Sequence, residues 1–167
     1  TLSGTRFMIW GAAPSGSMPK GLTASPDGRW VFAANMGRRD RRTLSVYQAI
    51  PFALEREVDF EGSAIELTPS RDGTQLYFTN KKKAGYLDVV NLETLELLHH
   101  IRVHGFPKFI LPAPDGVHVY LSLWTQDGIA RVAVPEGTVE TMQTPGHARI
   151  DVPGRSKNPR GMAFSPD

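Results

Sequence analysis

The 167-residue sequence contains no cysteine. This excludes a disulfide framework and any thiolate metal centre. No apolar run approaches the roughly 18 residues that a membrane-spanning helix needs. Net charge is also scarce, at +2 with histidine neutral, so the total says little about partners. What the chain does have is glycine and proline, 16 and 13 residues, within a composition that is 40% hydrophobic and 22% charged. That mixture reads as a globular chain of many short strands and turns rather than long helices. Its length suits one domain with a sizeable core.

The decisive pattern is internal repetition. Asp27-Gly28 recurs as Asp72-Gly73 and Asp115-Gly116, and Asp167 ends the chain after the same Ser-Pro, at intervals of 45, 43 and 52 residues. Eight residues before three of these aspartates stand Pro19, Pro107 and Pro159, each followed by a basic residue; Ala64 takes the proline's place in the second copy. After each turn comes an apolar or β-branched run at a fixed offset: FAAN, YFTN and YLSL. A third run follows as TLSVYQ, YLDVVN and IARVAV, then a fourth as EREVDF, LLHHIRV and ARIDV (148–152). Four strands per 40-odd residues is the period of one propeller blade.

The turn residues agree with that reading. In SPDG the proline pre-sets φ, the aspartate tolerates the bridge region and the glycine takes positive φ. NLET and PEG supply the hairpins between third and fourth strands. The third interval is longer, and aligning Ile150-x-Val152 with Ile101-x-Val103 places the extra length around 139–146. The expected architecture is therefore all-β: a partial β-propeller of four-stranded antiparallel blades forming an open arc. The segments are 1–18 (end of a preceding blade), 19–61, 62–104 and 105–152 (whole blades), and 153–167 (start of the next). On this expectation the chain is a fragment of a longer array, and the remaining blades are its first partner.

The order P-x-G-x-x-x-SPDG, then Y-x-x-N, V-x-V and I-x-V, resembles the YVTN repeat family, also called lactonase-like or surface-layer propellers. The matching residues are Pro19, Gly21, Ser25 to Gly28, Asn35, Tyr77 to Asn80, Leu87 to Val90 and Ile101 to Val103. The likeness weakens in the third copy, where Leu123 replaces the asparagine. WD repeats fit worse, since neither their Gly-His nor their Trp-Asp signature occurs; TolB-like repeats share SPDG but not the asparagine or the upstream proline. The resemblance implies a seven-bladed ring and a periplasmic, extracellular or cell-surface location. It covers surface proteins, lactone hydrolases and redox-enzyme subunits alike, so fold does not settle function.

Charge distribution says more than net charge. In a blade the SPDG turns lie on one face, and the loops joining second to third strands and blade to blade lie on the other. That second face collects Arg38, Arg39, Arg41 and Arg42 from one blade and Lys81, Lys82 and Lys83 from the equivalent loop of the next. Lys20, His104, Lys108, Arg155, Lys157 and Arg160 add to it, countered by Asp40, Asp127 and Glu61. Asp27, Asp72, Glu93, Asp115 and Glu136 fall on the opposite side. Clustered charge of one sign raises the local concentration of an anionic partner, although exposed loops also collect lysine and arginine for solubility. Trp124 beyond the second strand of the third blade offers a stacking surface, or else packs over its loop.

No catalytic residue is assigned. His99 and His100 are strand neighbours and point to opposite sides, so they cannot chelate one ion together. His104, His118 and His147 are scattered among blades. No paired carboxylate, nucleophile elbow or phosphate-binding glycine loop stands out, and no metal or cofactor is expected. Asn35 and Asn80 end second strands, where asparagine takes left-handed geometry or bonds nearby backbone. The leading functional reading is a non-enzymatic binding or surface scaffold whose basic loop face meets a polyanion or an acidic protein. The alternatives are a lactonase-like hydrolase acting on a sugar lactone and a propeller subunit of a redox enzyme.

Overall fold

The computed structural model describes residues 11–37, 43–82, 84–126, 128–143 and 161–165. Among them are twelve strands and no helix. The first four are β1 (Pro19–Ala24), β2 (Trp30–Asn35), β3 (Leu44–Gln48) and β4 (Ala53–Val58). They are followed by β5 (Ala64–Pro69), β6 (Gln75–Lys81), β7 (Gly85–Asn91) and β8 (Leu97–Val103). The last four are β9 (Pro107–Pro112), β10 (His118–Leu123), β11 (Gly128–Ala133) and β12 (Thr138–Gln143). Each set of four forms its own antiparallel meander, with no strand crossing to another sheet. Strand β1 neighbours β5, and β5 neighbours β9, so the first strands gather on one side and the sheets fan outward from them. These are three consecutive blades of a β-propeller, the expected fold.

Local chemistry explains the first hairpin of every blade. The Ser25 hydroxyl donates to Asp27 at 2.6 Å and accepts from the Trp30 amide at 2.9 Å, while the Asp27 carboxylate accepts from the Arg29 amide at 3.0 Å. Ser70, Asp72, Thr74 and Gln75 repeat this set. In the third blade Ala113 lacks the hydroxyl, and His118 Nδ1 contacts the Asp115 carboxylate at 2.6 Å instead. Gly28, Gly73 and Gly116 all sit near φ +70, at 73, 74 and 71 degrees, which only glycine adopts at little cost.

Packing follows from the two-residue period of the strands. In the first seam Phe32, Ala34, Leu44 and Val46 meet Leu67, Leu76, Phe78, Val90 and Leu92 of the second blade. In the next, Tyr77, Leu87, Val89, Ile101 and Val103 meet Ile110, Val119, Leu121, Leu123 and Val132. Leu76 and Phe78 therefore face one neighbour and Tyr77 the other. Leu67 and Ile110 occupy the same register position and are 2% and 4% exposed. Leu22, at that position in β1, is 70% exposed, because no described sheet lies on its side.

One expectation is corrected. The fourth strand of the third blade is β12 at Thr138–Gln143, and not the segment 148–152. The tight turn at Gly137 (φ 68) closes with its amide bonded to the Ala133 carbonyl at 2.9 Å. It feeds directly into a pairing of Ala133 with Thr138 and Gly128 with Gln143, leaving no extra length before the strand. Segment 148–152, residues 1–10 of the expected preceding blade, and Arg155, Lys157 and Arg160 lie outside the described residues.

Candidate functional site

The loop face is built by one hydrogen bond used three times. Where each second strand ends, an amide reaches the connection that precedes the blade's first strand: Met36 to Met18, Lys81 to Ser63 and Trp124 to Phe106, at 3.0, 3.0 and 2.8 Å. The scaffold is constant, but the side chains it carries are not. The third copy places an aromatic ring at both ends of this bond, Phe106 and Trp124, with centroids 5.8 Å apart.

Two lysines converge on that pair. Lys81, the last residue of β6, holds its ammonium 4.4 Å from the Phe106 ring centre. Lys108, from the innermost strand β9, sits 3.1 Å above the Trp124 ring and 6.0 Å from Phe106. Each contact contributes about 0.5–1 kcal/mol where water still reaches it. Its larger consequence is positional, since it holds charge beside a half-buried aromatic surface. Phe106 can approach β7 so closely because Gly85 has no side chain. A Cβ there would lie 2.4 Å from the Gly105 carbonyl oxygen and 2.4 Å from Pro107 Cδ. Gly105 itself has φ +87, a conformation reserved for glycine.

The structure thus brings together Lys81, Lys108 and Trp124, three of the residues singled out from the sequence. Lys82 is nearby but bonded to Glu61 at 2.9 Å, which raises the ammonium's pKa. Arg38, Arg39, Arg41, Arg42 and Lys83, with the opposing Asp40 and Asp127, lie outside the described residues. Phe106 was missed by the sequence reading. The signal was its position: two residues before Lys108, at the repeat offset that holds Ser63 and Met18 elsewhere.

A second polar cluster, also unforeseen, lies between the first two blades. Asp88 is buried on β7; it accepts from Asn80 Nδ2 at 2.7 Å and contacts His100 Nδ1 on β8. The Tyr86 ring stacks on His100 with centroids 4.0 Å apart. Burial raises the Asp88 pKa, partly opposed by the bonds from Asn80 and His100. Register places Asn35, Ser45 and Glu57 at the same three positions of the first blade, linked at 2.9 and 3.3 Å. In the third blade those positions are Leu123, Ala130 and Thr141. Neither asparagine adopts left-handed backbone; both act through the side chain, and Asn80 Nδ2 also reaches the Phe60 carbonyl at 3.3 Å. A buried carboxylate steering an imidazole resembles half of a catalytic triad. Its variable counterparts at the same register in the other blades mark it instead as a staple across strands two to four. Among the described residues no group of three histidine, aspartate or glutamate side chains is placed to hold a metal.

No protein-family model matches the chain, and no curated protein matches it. Solved structures do. Hydrazine synthase from Kuenenia stuttgartiensis superimposes with a TM-score of 0.67 at 21% identity, covering 83% of this chain and 40% of that one. A protein from Bacteroides fragilis NCTC 9343, provisionally described as a 6-phosphogluconolactonase, does so with a TM-score of 0.63 at 18% identity, covering 76% and 38%. The likeness is one of fold. This chain spans about two fifths of the length of either structure.

Proposed function

We propose that this chain contributes blades of a YVTN-like propeller that serves as a binding or cell-surface scaffold, and that its loop face receives an anionic partner. The observation supporting this is the convergence of Lys81 and Lys108 on Phe106 and Trp124. Ammonium groups attract phosphate, sulfate or carboxylate, while the rings offer a flat apolar surface to the sugar or base carrying the charge. The arginines at 38, 39, 41 and 42 and Lys83 extend the same basic face in this reading. The partner class it favours is a polyanionic polymer.

The test uses a fluorescent heparin oligosaccharide over a range of salt concentrations. Binding falls steeply with salt, and changing Lys81 and Lys108 together to alanine lessens the log–log slope by about 1.5, two released counterions. Absence of binding, or binding indifferent to salt, overturns the proposal.

A second reading has one observation in its favour. The Bacteroides fragilis protein is described as acting on a phosphorylated sugar lactone, and a basic, aromatic cluster is also a fitting seat for such a ligand. Turnover of gluconolactone or its 6-phosphate by the protein would favour that hydrolase; inertness toward both leaves the scaffold.

A further inference from the structure

Phe106 and Trp124 are two large rings that the scaffold does not require where they stand. The amide-to-carbonyl bond that joins them recurs with Met36 and Met18 in the first blade and with Lys81 and Ser63 in the second, so it closes without aromatic side chains. Neither ring belongs to the apolar seam between the second and third blades, which is filled by Tyr77, Val103, Ile110, Leu123 and their neighbours. Both are half-buried, at the two ends of a loop contact. Their planes are tilted by 36 degrees with centroids 5.8 Å apart, so they are splayed and not closed face to face. Gly85 and Gly105 permit the close crossing that sets Phe106, on the third blade's connection, against Lys81 of the second. The cluster therefore straddles a seam.

Charge alone does not distinguish one polyanion from another, but the groups that carry the charge do. A sulfated sugar surrounds a saturated ring with charges and hydroxyls and offers no π face to an aromatic side chain. A single-stranded nucleic acid carries one flat base for each phosphate, and stacking on aromatic residues tolerates any sequence because every base has a π face. The cluster shows the complementary pairing, a ring with an ammonium against it, twice: Lys81 is 4.4 Å from the Phe106 centre and Lys108 3.1 Å from that of Trp124. Lysine is a point charge on a flexible stem. A base arriving on the ring displaces the ammonium toward the phosphate of the same nucleotide, so a charge-assisted hydrogen bond replaces the cation–π contact. A duplex cannot do this, because its bases are already stacked on one another.

We infer, resting on the anion-binding reading above, that the polyanion is a single-stranded nucleic acid whose bases stack on Phe106 and Trp124 while its phosphates meet Lys81 and Lys108. The lysines then supply the part of the affinity that salt removes, and the rings supply a part that salt leaves in place. Preference among bases is weak, since stacking reads no base edge.

The experiment compares labelled octathymidylate with an abasic strand of the same phosphate number, by fluorescence anisotropy over a range of salt, with a heparin tetrasaccharide as the sugar polyanion. Octathymidylate binds the protein about tenfold or more tightly than the abasic strand, and a blunt duplex of equal charge does no better than the abasic strand. Changing Phe106 and Trp124 together to leucine brings the ratio between the two strands close to one. Indole fluorescence of the unmodified protein is quenched by octathymidylate and not by the abasic strand, which reads the contact without any variant. Equal, salt-sensitive binding of the two strands overturns this inference and leaves the anion-binding reading standing. Tetrasaccharide binding tighter than octathymidylate at the same salt also overturns it and assigns the face to a sulfated glycan. Absence of binding by either strand and by the tetrasaccharide overturns both.

Discussion

Replacing Asp88 with alanine should cost about 2 kcal/mol, whereas replacing its whole network should cost little. Asp88 is 1% exposed and its carboxylate accepts from Asn80 and His100. Hydrogen bonds to a charged acceptor contribute about 1.5–3 kcal/mol each, and a buried donor left without a partner costs about 1–3. Three features hold the net loss near the middle of those ranges. Asn80 Nδ2 keeps the Phe60 carbonyl at 3.3 Å, water reaches His100, and the carboxylate no longer has to be buried. The third blade shows that the site folds without a buried polar network, since Leu123, Ala130 and the exposed Thr141 occupy the same register. Asn80→Leu, Asp88→Ala and His100→Thr combined should therefore lie within about 1 kcal/mol of the native protein. The combination also removes the Asn80 Oδ1, which has no hydrogen-bond partner. Urea unfolding followed by tryptophan fluorescence reads both. With a slope of about 2 kcal/mol/M, Asp88→Ala lowers the midpoint by about 1 M. An unchanged midpoint in Asp88→Ala, or a triple variant no better than the single one, refutes the reasoning.

Two further outcomes follow from the same structure. Asp27, Asp72 and Asp115 all titrate below their ordinary value of 3.8 because hydroxyl, imidazole and amide donors hold their charged forms. The unfolded chain then binds their protons more readily, so stability present above pH 3.8 is lost as pH falls below it; Asp27→Asn and Asp115→Asn together should flatten that acid limb in a pH series of urea midpoints. Gly85→Ala drives a methyl into the Gly105 carbonyl and Pro107. It should cost about 1–3 kcal/mol and shift the Phe106 ring resonances, because the crossing that carries Phe106 must open.

Much of the architecture was readable because it is written locally. Each Ser-x-Asp-Gly turn is closed by bonds among its own five or six residues, so its sequence signature and its geometry are nearly the same thing. Strand β12 was misplaced for the opposite reason. Matching Ile-x-Val across repeats overrode a nearer signal, the Pro-Glu-Gly turn followed at once by the strand Thr138–Gln143. The loop cluster was half readable. Lysine runs and Trp124 stand out in the sequence, but Phe106 reaches them only through a blade-to-blade connection brought close by Gly85 and Gly105. Asp88 and His100 meet through register, including the irregularity at Val89 and Val90. Counting outward from the turn would have set Asp88 opposite His99; the irregularity moves its partner to His100, and nothing in the residue types announces it.

The cluster of Lys81, Phe106, Lys108 and Trp124 is the proposed seat of an anion. Titrating a heparin tetrasaccharide into isotope-labelled protein tests it directly. Shifts are expected at the Trp124 indole, the Phe106 ring and the Lys81 and Lys108 amides that fade as salt is added, with Gly28, Gly73 and Gly116 on the opposite face unmoved. Shifts centred on those three glycines, or none at saturating tetrasaccharide in low salt, would contradict it.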